Sequence, residues 1–157
     1  MLKDSGDRRE FPSGAVRDLS AGKGRCDLLP IGVLAEMCMN IEAKTILKEI
    51  DMFQRDLDTK HLNSAIVSFG VLRKWDFYTL MLELSIHLEE GAIKYGERNW
   101  EKGLPVHCYI DSGVRHLLKF LRGDEDEPHD RAFVWNLAAC IYTIQNRPEC
   151  IDIAPLT

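Results

Sequence analysis

Between Trp75 and Tyr95 the apolar residues fall into two neighbouring rows at helical spacing, Phe77, Met81, Leu84 and Leu88 in one and Leu82, Ile86 and Ile93 in the other. Recurrence at three and four residues, sustained this long, predicts an amphipathic helix and is incompatible with the period-two pattern of a strand. The same period recurs in Ile31, Leu34, Met37, Cys38 and Ile41, which predicts a helix over about 29 to 54, started near Asp27 and Pro30 and open to an interruption. Residues 60 to 72 predict a shorter helix ended near Gly70, although the run AIVSF also suits a strand. Two more helices are predicted, one from Tyr109 to Leu121 stopped at Gly123, the other from Pro128 through Trp135, Leu137, Ala138 and Ile141 to about Gln145. GERNWEKGLP, set between glycines and a proline, reads as an ordered loop. With convincing alternating strands lacking, the predicted fold class is all-α, a helical bundle formed by the 157 residues as one domain.

Residues 1 to about 25 differ in character. They hold six basic residues (Lys3, Arg8, Arg9, Arg17, Lys23, Arg25) against four acidic ones (Asp4, Asp7, Glu10, Asp18), and glycines at 6, 14, 22 and 24 interrupt any period. The stretch reads as an irregular arm, either a loose tail or a basic segment that folds over an anionic ligand. The chain as a whole carries 20 Lys and Arg against 25 Asp and Glu, a net charge of −5, which excludes a polycation that coats nucleic acid. A nucleotide substrate is not excluded, since a bound metal can supply positive charge. No apolar run approaches the roughly 20 residues of a membrane span, and MLKDSGDRRE has no apolar targeting core, so a soluble, intracellular chain without a membrane partner is expected. Five cysteines (Cys26, Cys38, Cys108, Cys140, Cys150), with no CxxC pair, suit reduced thiols and argue against structural zinc.

Three constellations hold residues with chemistry. Glu89 has Leu82, Ser85, Ile86 and Ile93 as its helical neighbours, so it is expected within an apolar stripe, where a carboxylate needs a metal ion or a cationic partner. The adjoining row Glu83, His87, Glu90 and Lys94 reads as a solvated face with ion pairs. Asp124, Glu125, Asp126 and Glu127 precede Pro128, His129 and Asp130; they suit a helix start, and Glu127 with Asp130 also forms an E-x-x-D pair that can hold a hard divalent cation. His129, Phe133 and Asn136 share that helix. Asp111, Arg115 and His116 offer either an i,i+4 ion pair or contacts to phosphate. The loop adds Lys94, Arg98, Asn99, Trp100 and Lys102, phosphate donors around a ring that can stack on a base.

The stretches FPSGAVRDLSAGKGRCDLLP (11–30), HLEEGAIKYGERNWEKGLPVHCYIDSGVRHLLKFLRG (87–123) and DEPHDRAFVWN (126–136) resemble the phage and bacterial dATP/dGTP diphosphohydrolases, relatives of the MazG-type all-α nucleotide pyrophosphohydrolases. Residues of about 36 to 82 look like an insertion relative to shorter members. The resemblance implies hydrolysis of a purine deoxynucleoside triphosphate between its α and β phosphates, with Mg²⁺ or Mn²⁺, by a homo-oligomer (dimer or tetramer) in the cytoplasm of a bacterium or phage-infected host. MazG-type metal ligands follow E-E-x-x-E and then E-x-x-D. Glu89 and Glu90 match the opening pair, Ile93 stands at the third position, and Glu127 and Asp130 match the second half, leaving Asp111, Asp126 or His129 to complete the set. The expected metal ligands are therefore Glu89, Glu90, Glu127 and Asp130, with Glu89, Glu90 and Glu127 as catalytic carboxylates. Lys94, Arg115, His116 and Lys23 or Arg25 are expected on the phosphates, and Asp27 or Asn136 on the base or sugar. Asn99, Trp100 and His129 complete the expected substrate contacts. Two other readings use the same residues: an HD-type phosphohydrolase built on His129-Asp130 with His116 and Asp152, and a helical protein that binds nucleotide without turning it over.

Overall fold

The computed structural model describes residues 6–155; Lys3 and Asp4 of the arm lie outside them. Six α-helices form a bundle, α1 (Ile31–Ala35), α2 (Ile41–Asp56), α3 (Lys60–Arg73), α4 (Phe77–Tyr95), α5 (Val106–Arg122) and α6 (His129–Asn146), in agreement with the all-α expectation. No helix among the described residues is long and apolar enough to cross a membrane.

Helix boundaries follow local chemistry. The predicted helix over 29–54 is interrupted: it restarts at Asn40, whose side chain accepts the Ala43 N–H at 2.8 Å. Asp76 caps α4 in the same way through Thr79 N–H at 2.7 Å. Residues 60–73 are helical throughout, so AIVSF is not a strand. Gly123, with φ of 91°, ends α5 in the left-handed region that favours glycine. The GERNWEKGLP loop contains a short 3₁₀ turn, Asn99–Lys102.

Two helical hairpins, α2–α3 and α5–α6, pack through α3 and α6, while α4 packs chiefly on α6. Phe69 of α3 ties the hairpins together, its ring 4.8 Å from Phe133 and 5.3 Å from Phe120. Gly113 lets α5 and α6 approach: a Cβ there would stand 3.0 Å from Leu137 and 3.3 Å from the Asn136 Cβ.

Residues 8–18 of the arm are more regular than expected. They form a small antiparallel hairpin, β1 (Arg8–Glu10) and β2 (Val16–Asp18), pairing Arg8 with Asp18, Arg9 with Arg17 and Glu10 with Val16. Strands of three residues are too short for alternation to register in the sequence.

The α2–α3 turn buries His61 between two carboxylates, Nδ1 lying 2.9 Å from Glu49 and Nε2 2.9 Å from Asp56. Burial pulls the imidazolium pKa down, but the two carboxylates outweigh it and the net shift is upward. Protonated His61 therefore stabilises the fold fully below its unfolded pKa of about 6.5, and that contribution disappears as pH rises through the raised folded value. Urea unfolding of the wild type should show stability declining from pH 6 towards pH 9, with a flatter profile for His61→Gln.

Candidate active site

The arm hairpin lies across the bundle because its polar groups find partners there. Asn99, buried in the loop after α4, acts as a surrogate strand: its Nδ2 donates to the Val16 carbonyl and its Oδ1 accepts from Val16 N–H, both at 3.0 Å. Ser13 donates to the Gly103 carbonyl at 2.5 Å. Asp18 receives Lys94 of α4 at 2.7 Å and Arg8 at 2.9 Å. Arg17 reaches α5 and α6, one terminal nitrogen donating to Ser112 Oγ at 2.8 Å and Asn136 Oδ1 at 2.9 Å. Asn136 is fixed in that orientation by donating to the Ala132 carbonyl at 2.8 Å. After the hairpin, the Gly24 carbonyl accepts from Arg115 at 2.7 Å, and Asp111 accepts both Arg115 at 2.6 Å and Cys26 N–H at 2.7 Å.

Between arm and bundle lies a cleft of about 460 Å³, walled by Arg9, Arg17, Lys23, Lys94, Arg115 and Lys119 against Asp18, Asp111, Asp126 and Glu127. Six cations face four carboxylates in a chain whose net charge is −5. The positive charge is incompletely compensated: burial lowers the pKa of Arg17, and also that of Lys23. Nη1 of Arg17 and Nε of Arg115 and Arg9 are buried donors without a hydrogen-bond partner among the described residues. Lys94 behaves differently. Burial pulls its pKa down, but the bonds to Asp18 and Tyr95 outweigh it and leave the ammonium favoured. His87, also in the wall, is pushed down to about 4 by burial and then by the Arg131 charge, so its imidazole is neutral at neutral pH.

A second cavity of about 510 Å³ shares Arg17, His87, Tyr95 and Trp135 with the first and adds Leu88, Ala92, Trp100 and Leu104. One basic and one largely apolar, aromatic compartment thus adjoin across the Arg17–Trp135 contact, where the guanidinium sits 5.3 Å from the ring centroid.

Where α5 meets the start of α6, His116 Nδ1 stands 2.9 Å from His129 Nδ1, and His129 Nε2 is 2.7 Å from Asp126. Burial, followed by the neighbouring His129, holds the His116 pKa well below the ordinary value. His116, Glu127 and His129 present ligand atoms within 4.8 Å of one another, as do Asp124, Asp126 and His129.

The structure gathers part of the expected site and disperses the rest. Lys23, Lys94, Arg115, His116, Asn136 and Glu127 all line the basic cleft. Glu89, Glu90 and Asp130 join neither group of potential ligands. Glu89 does lie among Leu82, Ser85, Ile86 and Ile93, but all five residues are exposed, and Glu89 with Ser85 borders the second cavity rather than the basic cleft. The row expected on the solvated face is the one turned inward, with His87 buried, Lys94 on Asp18, and Glu83 and Glu90 3.8 and 3.2 Å from Arg131. Asp130 pairs with Arg73 at 3.0 Å. Arg25 and Asp27 bind each other through two bonds of 2.7 Å, and neither lines the basic cleft. Asn99 holds the arm, and Trp100 packs edge-on to Tyr142 at 4.8 Å, lining the second cavity. Asp152, required by the HD reading, is bonded to His107.

Arg9, Arg17, Asp18, Ser112, Lys119 and Trp135 were not among the expected site residues. A polar row at helical spacing along α5, Asp111, Ser112, Arg115, His116 and Lys119, carries the signal for two of them. For Arg17, its place in the basic arm is the only sequence cue.

No curated protein and no solved structure matches the chain. Residues 54–153 match the family model described as dATP/dGTP diphosphohydrolase, N-terminal, a range that takes in α3 to α6 and the second half of the stretch read as an insertion, and leaves out the arm. With about two thirds of its residues matched, the chain belongs to the dATP/dGTP diphosphohydrolase N-terminal family.

Proposed function

We propose that the chain hydrolyses dATP or dGTP to the monophosphate and pyrophosphate, assisted by a divalent cation, Mg²⁺ or Mn²⁺. One observation carries this reading: a cleft with surplus positive charge in an acidic chain is suited to a polyanion. Family membership supports a diphosphohydrolase acting on these nucleotides. The aromatic compartment next to the cleft suits the base, so a nucleoside triphosphate fits the pair of cavities better than inorganic polyphosphate does.

In this reading Arg17, Arg115, Lys23 and Lys119 neutralise the phosphate chain, most of all the pyrophosphate as its charge develops on leaving. Arg17 also spans the two compartments, since it stacks on Trp135, and so sets the register between base and phosphates. Asn136 acts through Arg17 rather than on the base. Glu127, the one expected metal ligand that lines the cleft, is assigned the proton from the attacking water. A divalent cation, when bound, would supply charge on the α-phosphate and a more acidic water. The residues present fit such an ion: His116 and Glu127 stand in the cleft wall, and the His129 imidazole lies close to both.

The homo-oligomer is part of the same proposal. Phe77, Tyr78, Met81, Leu82, Ile86 and Ile93 form a continuous exposed apolar face along α4, with Glu89 at its centre, and a second copy of this chain is assigned to it. Ile86→Asp should convert an oligomer to a monomer in light-scattering chromatography; a monomeric wild type would overturn the assignment.

The activity is tested by incubating the chain with dATP or dGTP and Mg²⁺ or Mn²⁺ and separating the products. Monophosphate and pyrophosphate are expected; nucleoside with tripolyphosphate, or binding without turnover, would overturn the reading. Lys23→Ala and Lys119→Ala should each raise KM about tenfold, equivalent to roughly 1.4 kcal/mol, with little change in Tm because both side chains stand in the cleft wall rather than the core.

A further inference from the structure

We infer that His116, Glu127 and His129 form a nitrogen-bearing metal site, oriented by Asp126, that takes a first-row divalent transition ion such as Mn²⁺ ahead of Mg²⁺. This deepens the proposed hydrolysis and rests on it for the substrate. The site differs from the all-carboxylate set expected from the sequence, of which it keeps only Glu127.

The two Nδ1 atoms are 2.9 Å apart. Two ligand nitrogens bound at about 2.1 Å and a right angle on one ion stand about 3 Å apart, so the pair is already spaced for shared coordination. Orientation comes from Asp126. Its carboxylate lies 2.7 Å from His129 Nε2 and accepts that N–H, which leaves the lone pair of His129 on Nδ1, directed at His116. His129 is almost wholly buried at 2% exposure, so its ring has no freedom to turn elsewhere. In the absence of an ion, His116 donates its Nδ1 proton to His129. An ion held there would displace that proton to Nε2 of His116, so that each Nδ1 could offer its lone pair to the ion. Glu127 supplies the third ligand atom, within 4.8 Å of the other two.

The alternative grouping of Asp124 and Asp126 on His129 is already committed elsewhere. Arg122 donates to both oxygens of Asp124, at 2.8 and 2.5 Å, and Asp126 is held by His129 Nε2. His116 and Glu127 line the basic cleft, so positions left open on an ion held by the three residues are within reach of phosphate oxygens. Mg²⁺ prefers an oxygen shell with several waters, whereas a set of two imidazoles and one carboxylate suits transition ions.

The full-length chain with one equivalent of Mn²⁺, in tenfold excess of Mg²⁺, is examined by pulsed electron paramagnetic resonance. Couplings from directly bonded imidazole nitrogen are expected. Asp126→Asn should weaken Mn²⁺ binding about tenfold or more while keeping the couplings, Glu127→Gln should weaken it likewise, and Asp124→Asn should leave it unchanged. Mn²⁺ bound without nitrogen couplings, Mn²⁺ displaced by the Mg²⁺, or loss of binding only in Asp124→Asn would each overturn the site. The two readings fail separately. Nitrogen-coupled Mn²⁺ with no pyrophosphate released from dATP or dGTP overturns the hydrolysis and leaves the site standing; pyrophosphate release with oxygen-bound Mn²⁺ does the reverse.

Discussion

A charge withdrawn from water into a protein costs several kcal/mol unless a counter-charge meets it. Helix α4 imposes that requirement repeatedly, because it turns Glu83, His87, Glu90 and Lys94 towards the body of the molecule. The demand is met from two directions. Arg131 of α6 serves both glutamates, and Asp18 of the arm serves Lys94, with Arg8 steadying the aspartate from the opposite strand. His87 meets the constraint by staying neutral. Docking of the arm is therefore an electrostatic consequence of how α4 is oriented, and the cleft is the space left between them.

The arm brings more positive charge than this docking consumes. Asp18 is one carboxylate; Arg9, Arg17 and Lys23 enter the cleft wall with it. Arg17 is held by a hydroxyl and an amide oxygen, both neutral, so its geometry is fixed while its charge is not cancelled. A cation that is positioned but uncompensated is costly to a free protein and useful to one that binds an anion, because the cost is recovered when phosphate arrives. That distinction separates Arg17 from Arg25, whose charge is spent on Asp27 two residues away, and from Arg73, spent on Asp130.

The bundle was legible in the sequence because its boundaries are decided locally. Gly123 marks a helix end that the sequence shows directly, and Asn40 and Asp76 act within three residues too, although the predicted helix over 29–54 ran through Asn40. The facing of α4 was not legible. Its apolar stripe and its polar row are equally regular, and periodicity reveals that two faces exist without revealing which turns inward. The choice is made by Arg131 and Asp18, each distant in sequence. Glu89 was accordingly expected inside and is exposed, while Lys94, whose row was read as solvated, lines the cleft. Asn99 shows the same limit: it borders the second cavity beside Trp100, but its amide also substitutes for a neighbouring strand of the arm, a role set by Val16 some eighty residues earlier.

The acidic segment before α6 can be understood in the same terms. Asp126 and Glu127 line both the basic cleft and the adjoining cavity that holds Asp124, Glu125 and His129, so surplus positive and surplus negative charge meet at this wall. A triphosphate alone, with roughly four negative charges, would overfill a cleft whose six cations exceed its carboxylates by two. Paired with a divalent ion it carries about two, which matches the surplus, and the ion would sit on the side where the carboxylates are. The proposed metal and the proposed substrate are in that sense one requirement: each leaves a charge imbalance that the other removes, and the imidazole pair lies at the boundary between them.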